Sequence, residues 1–81
     1  MDESKIFLTI QEVFREQFLD PDMVVLATTQ PSDCDAWDSL AHIGIMLSIA
    51  AQFDVDFTAE DITEIDCVGD IVDLVSTKLE N

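Results

Sequence analysis

Eighty-one residues, 48% of them hydrophobic and only two each glycine and proline, make one domain with a small core and favour helices over a many-turned β fold. Eighteen acidic residues stand against three basic ones, Lys5, Arg15 and Lys78, for a net charge of −15. Such a field excludes nucleic acid and anionic membrane as partners, draws in basic protein surfaces, and burdens the fold with self-repulsion.

The opening "MDESKIF" is acidic where an export signal would be basic, and no apolar h-region follows it, so a cytoplasmic protein with reduced thiols is expected. Ile6, Phe7, Ile10, Val13, Phe14 and Phe18 recur at helical spacing with Glu12, Arg15 and Glu16 between them. The spacing predicts a first helix over residues 4–19, stopped by "DPD" because Pro21 disfavours helical backbone just before it. Residues 20–38 hold no period and read as a long loop, with Val24, Val25 and Leu26 tucked inward to anchor it. A loop of this length in so small a domain points to function.

Asp38 is placed to cap a second helix over residues 39–53, its carboxylate accepting from amides of the first turn. "TAED", Thr58 to Asp61, resembles a capping box with aspartate in place of glutamate and opens a short third helix over 59–65. Val68, Ile71, Val72, Val75 and Leu79 mark a fourth over 68–79, where Lys78 suits the negative end of the helix dipole. The expected fold is all-α: a four-helix bundle of three longer helices and one short third, in a single domain over 1–81. The longest nearly apolar run, 43–51, falls far short of the ~20 residues a membrane span needs. Cys34 and Cys67 form no CxxC and have no cluster of histidines beside them, so no zinc site is expected. Neither Asp33 nor Asp54 opens a calcium loop, since Gly44 and Ile65 stand where the twelfth-position glutamate belongs.

The second helix is apolar on two faces. Ile45, Met46, Ile49 and Phe53 share one arc, with His42 at its edge, and Leu40, Ile43, Leu47 and Ala51 share a nearly opposite one. Three other helices cover one side only, so the Leu40–Ile43–Leu47 stripe is either roofed by the long loop or open as a docking patch. Open, it would be rimmed by Asp33, Asp35 and Asp38 before the helix and by Asp54, Asp56, Glu60 and Asp61 after it.

Ser39, in "DAWDSLAHI", is the residue on which function turns. As a nucleophile it is poor: no Gly-x-Ser-x-Gly elbow surrounds it, and His42 one turn on need not reach back to its hydroxyl. His42 is read as a helix residue at the core rim, with contact to a group attached at Ser39 as its alternative role. As an attachment point Ser39 has the right physics. A phosphate ester in the first turn of a helix lies in the positive end of its dipole. Asp38 beside it offers a carboxylate to a modifying enzyme's metal ion or basic residue, and the Leu40 stripe gives that enzyme a grip.

Asp38-Ser39-Leu40 at the start of the second of four helices, in an acidic chain of this length, resembles the acyl carrier protein family. The likeness takes in Phe53, Phe57 and the Val68–Ile71–Val72–Val75 stripe, and so nearly the whole chain. It implies a carrier, not an enzyme: Ser39 would bear a covalent 4′-phosphopantetheine arm, installed from coenzyme A by a phosphopantetheinyl transferase. Acyl groups would ride on the arm's thiol as thioesters, presented in turn to loading, transferring or condensing enzymes with basic and apolar docking surfaces. Two departures stand out. "DCDAW" replaces the family's leucine-glycine pair ahead of the serine, and residues 39–53 contain no acid where the family often has glutamates. Trp37 before the motif and "AHI" after it resemble stand-alone carriers of specialised pathways. Docking is therefore expected to lean on Leu40, Ile43 and Leu47, with Asp33, Asp35, Asp54 and Asp56 as a charged rim, and the carrier to be a monomer. A peptidyl or aminoacyl carrier is the near alternative. An acidic helical adaptor that masks a basic partner is the distant one.

Overall fold

The structure, a computed structural model, describes residues 2–80. Four helices, α1 (Glu3–Gln17), α2 (Ser39–Phe53), α3 (Ala59–Thr63) and α4 (Val68–Glu80), are joined with a single 3-10 turn at Pro31–Asp33 and no strand among the described residues. The core is the shared inner face of α1, α2 and α4. Ile6, Ile10, Val13 and Phe14 meet Ile45, Met46 and Ile49 and then Val68, Ile71, Val72 and Val75, which recur one turn apart, singly or as adjacent pairs, within their helices.

α1 begins on Asp2, whose carboxylate accepts from the Ser4 amide at 3.0 Å, and ends two residues before the sequence-based limit of 19. The stop comes earlier than Pro21 would impose because Leu19 adopts left-handed backbone, with φ 53°. The Asp20 amide then reaches back to the Arg15 carbonyl at 2.9 Å and the Leu19 amide to Glu16 at 3.3 Å. This is the paired closure that usually calls for glycine. α2 ends in the same way on Asp54, φ 55°, with the Val55 amide on the Ala50 carbonyl at 3.0 Å. α3 is shorter than the 59–65 expected: Glu64 terminates it, and α4 follows after three further residues.

The long loop is stitched down at several places. Arg15 Nε donates to the Met23 carbonyl at 2.9 Å, and the Val25 amide to Gln11 Oε1 at 3.3 Å. Val25 alone is buried; Val24 and Leu26, expected to tuck inward with it, face solvent. The reason is elementary: in extended chain successive side chains point to opposite sides, so three neighbours cannot all go in. Beyond them the loop caps α4 with backbone, the Ala27 and Thr29 carbonyls accepting from the Gly69 and Val68 amides at 2.8 and 3.0 Å. Gly69 permits that approach, since a Cβ there would stand 3.1 Å from the Ala27 oxygen.

α3 opens with the expected box: Asp61 Oδ2 accepts from the Thr58 amide at 2.9 Å and Thr58 Oγ1 from the Asp61 amide at 3.0 Å. Lys78 of α4 lies 3.0 Å from the same carboxylate. The Thr58 amide, and then Lys78, hold the Asp61 carboxyl below the ordinary carboxylate range. A lowered folded-state pKa contributes stability that is fully present above the unfolded value of about 3.9 and is lost as pH falls through the lowered one. Asp61→Asn should therefore lower the urea midpoint at neutral pH, and the gap to wild type should close on acidification. A gap independent of pH would show the carboxylate's charge to be idle.

Candidate functional site

Asp38 does what its position predicted: its Oδ1 accepts from the Ala41 amide at 2.8 Å, and its carbonyl takes the first helical bond from His42 at 2.9 Å. Ser39 is thereby the first residue of a fifteen-residue helix, and it is exposed. The amides of Ser39 and Leu40 precede the first helical donor and belong to the unsatisfied, positive end of α2. The hydroxyl stands at that end, at the rim of a cleft of ≈ 700 Å³ lined by Trp37, Ser39, His42, Ile43, Ile62 and Ile65 among others.

The burial of Trp37 is what sequence reasoning missed. The residue sits in a stretch without periodicity, yet only 3% of it is exposed. Its indole packs edge-on against Phe14, ring centres 5.0 Å apart at 87°, and so carries the last turn of the loop into the core between α1 and α2. The available signal was its size: a lone tryptophan beside a helix cap seldom stays in water. Ile62 and Ile65, three apart on and just after the short helix, were likewise legible as its inward face.

His42 is half-buried at the core rim, as expected, and both its nitrogens are engaged. Nδ1 lies 3.0 Å from Trp37 Nε1, and Nε2 lies 2.8 Å from the Ile62 carbonyl oxygen. Neither is left to take a proton from Ser39, so His42 is not placed as its base.

The stripe is open. Leu40, Ile43 and Leu47 are 80%, 48% and 62% exposed, and the loop roofs none of them. Asp33, Asp35, Asp54 and Asp56 are exposed as well, although Asp33 is partly committed, its Oδ2 accepting from the Gln30 amide at 3.0 Å. Asp61 faces Lys78 and is spoken for. Cys34 and Cys67 are free, half-buried thiols. Among the described residues no cluster of histidine, cysteine and acidic side chains suits a metal ion, and no helix is long and apolar enough to cross a membrane.

No family model matches the chain. Its fold does have a solved counterpart, the solution NMR structure of a holo acyl carrier protein from Geobacter metallireducens. The two superpose with a TM-score of 0.83 at 32% identity, over 91% of this chain and 85% of that one.

The chain belongs to the acyl carrier protein family. The all-helical order, with its long loop ahead of the second helix and its short third, is that of an acyl carrier protein. The likeness is thus to a carrier and not to a catalyst. In this chain α2 has no acidic side chain, and acids stand at either end of it.

Proposed function

We propose that this chain is a carrier whose Ser39 hydroxyl is esterified by 4′-phosphopantetheine, and that acyl groups are shuttled on it among partner enzymes. The observation that carries the reading is the exposure of Ser39 at the first position of α2, beside an apolar cleft. The residues fit the group. The unsatisfied first-turn amides favour a phosphodiester at Ser39, and Asp38 spends one carboxylate oxygen on Ala41 and leaves the other toward a modifying enzyme. Trp37, Ile43, Ile62 and Ile65 offer apolar wall to whatever hangs from the serine. When attached, the arm supplies a thiol on which an acyl group is held as a thioester.

Everything else the chain does is presentation. A tether raises the local concentration of cargo at each enzyme that docks, without any new contact. Docking uses Leu40, Ile43 and Leu47 as its apolar centre and Asp33, Asp35, Asp54 and Asp56 as its border, the ordinary anatomy of an interface. The net charge of −15 steers basic enzyme surfaces toward it. The partners are a phosphopantetheinyl transferase and acyl-loading, transferring or condensing enzymes, in the cytoplasm, serving fatty-acid-type or specialised lipid and secondary-metabolite synthesis. Because α2 has no acid, the hydrocarbon stripe bears more of the docking than salt bridges do.

Incubation with coenzyme A, magnesium and a broad-specificity phosphopantetheinyl transferase, followed by intact-mass measurement, tests the attachment. Wild type should gain one arm and folded Ser39→Ala none; an acidic adaptor would gain nothing in either form. In the same assay Leu47→Ala should slow modification at fixed enzyme concentration and salt, through the lost apolar contact. Steep salt dependence with Leu47→Ala silent would move docking from the stripe to the acids.

A further inference from the structure

α3 is five residues long, far too short to be helical without help. What fastens it is instructive. Its tie to α4 is the Lys78–Asp61 ion pair, whose side chains are 29% and 22% exposed, a partly hydrated contact of modest worth. Its polar tie to α2 is His42, and this one closes a specific gap. In a longer helix the Ile62 carbonyl would accept from the amide of residue 66, four positions on. Here the helix has already ended, and the Asp66 amide is taken by Asp70 Oδ2 at 2.9 Å. The orphaned Ile62 carbonyl is met instead by His42 Nε2 at 2.8 Å.

The tautomer is imposed from the other side of the ring. An indole nitrogen can only donate, so Trp37 Nε1–H requires a bare lone pair on His42 Nδ1, 3.0 Å away. The proton of the neutral imidazole must then sit on Nε2, where it points at the Ile62 oxygen. Trp37 is itself fixed by burial against Phe14. The ring is thus a strut with a core tryptophan at one end and the backbone of α3 at the other, and all three residues line the cleft beside Ser39.

We infer that His42 is the positioning residue of this cleft: locked in the Nε2–H tautomer by Trp37, it caps the last turn of α3 and sets where that wall stands relative to Ser39. Its hold on α3 is independent of what Ser39 carries. Its effect on cargo rests on the carrier reading, since an alkyl chain tethered at Ser39 finds its shelter against the wall His42 positions.

The test uses the whole apo chain. Long-range nitrogen–proton correlation of the His42 ring should report the Nε2–H tautomer. In His42→Ala the hydrogen-bonded amides of α3 and its cap, Asp61, Ile62 and Glu64, should exchange about tenfold faster, the value of one lost hydrogen bond, while the core amides of α1 and α4 keep their protection. His42→Gln, which retains an N–H near the Nε2 position, should restore α3 protection while the Trp37 indole resonance stays displaced. Unchanged α3 exchange in His42→Ala, or equal exchange in the two variants, overturns the inference. A medium-length alkyl thioester loaded at Ser39 should then be cleaved faster by hydroxylamine in His42→Ala than in His42→Gln. Failure of wild type to accept the arm would sink the carrier reading and leave the exchange results to decide His42.

Discussion

Trp37→Ala should cost about 3–5 kcal/mol, the range for truncating a buried aromatic, against a total of roughly 4–12 kcal/mol for a chain of this length. The indole is 3% exposed and stacks edge-on against Phe14, which is itself fully buried. Its removal opens a hole between α1 and the start of α2 that backbone on either side cannot close. It also strips His42 Nδ1 of its donor. Trp37→Phe separates the two losses in part: it keeps a ring against Phe14 and gives up the indole N–H with some of the ring volume, for about 1–3 kcal/mol. Urea unfolding followed by far-ultraviolet circular dichroism measures both, since the fluorophore is gone. A Trp37→Ala chain within about 1 kcal/mol of wild type would mean that the loop's last turn is not part of the core, and that Ser39 is presented by α2 alone.

That expectation marks the border between what the residues announced and what they hid. α1, α2 and α4 were legible because each carries a stripe at three- and four-residue spacing, and the start of α2 because an aspartate before an apolar run has one economical use. Three features escaped because they are set by neighbours and not by local pattern. The stop of α1 needed left-handed backbone at Leu19, which a leucine side chain does not advertise. The full burial of Trp37 and Val25, out of a loop whose Met23 and Cys34 go only partly in and whose Val24 and Leu26 stay outside, follows from where α1 presents Phe14 and Gln11. His42 could be placed at the rim by its angle on the helix, but not between an indole and a carbonyl from twenty residues further along. The site divides in the same way. Ser39, Asp38 and the second apolar stripe of α2 were readable from order alone, whereas the openness of that stripe and the place of the cleft wall against Ser39 required knowing where the loop and α3 pack.

The acidity of the chain strains its fold in weak salt. Eighteen carboxylates meet three cations, and among the described residues only Arg15–Glu12 at 3.2 Å and Lys78–Asp61 at 3.0 Å form ion pairs. The remaining acids crowd a body measuring 33 × 24 × 21 Å. At ~0.01 M salt the screening length is about 30 Å, so every charge feels nearly every other; at ~0.15 M it is about 8 Å and only neighbours matter. Unfolding spreads the same charges over a larger volume, so weak salt penalises the folded state more than the unfolded one. Raising sodium chloride between those concentrations should stabilise the fold by about 2–4 kcal/mol on a simple Coulomb sum. At 4–8 °C per kcal/mol for domains of this size, the thermal midpoint should rise by roughly 10–30 °C. Sucrose, which stabilises without screening, supplies the control: at matched osmolality it should add far less. A midpoint that moves by less than about 2 °C across the salt series would show that the acids are spaced widely enough not to strain the fold. Their number would then have to be explained by docking alone.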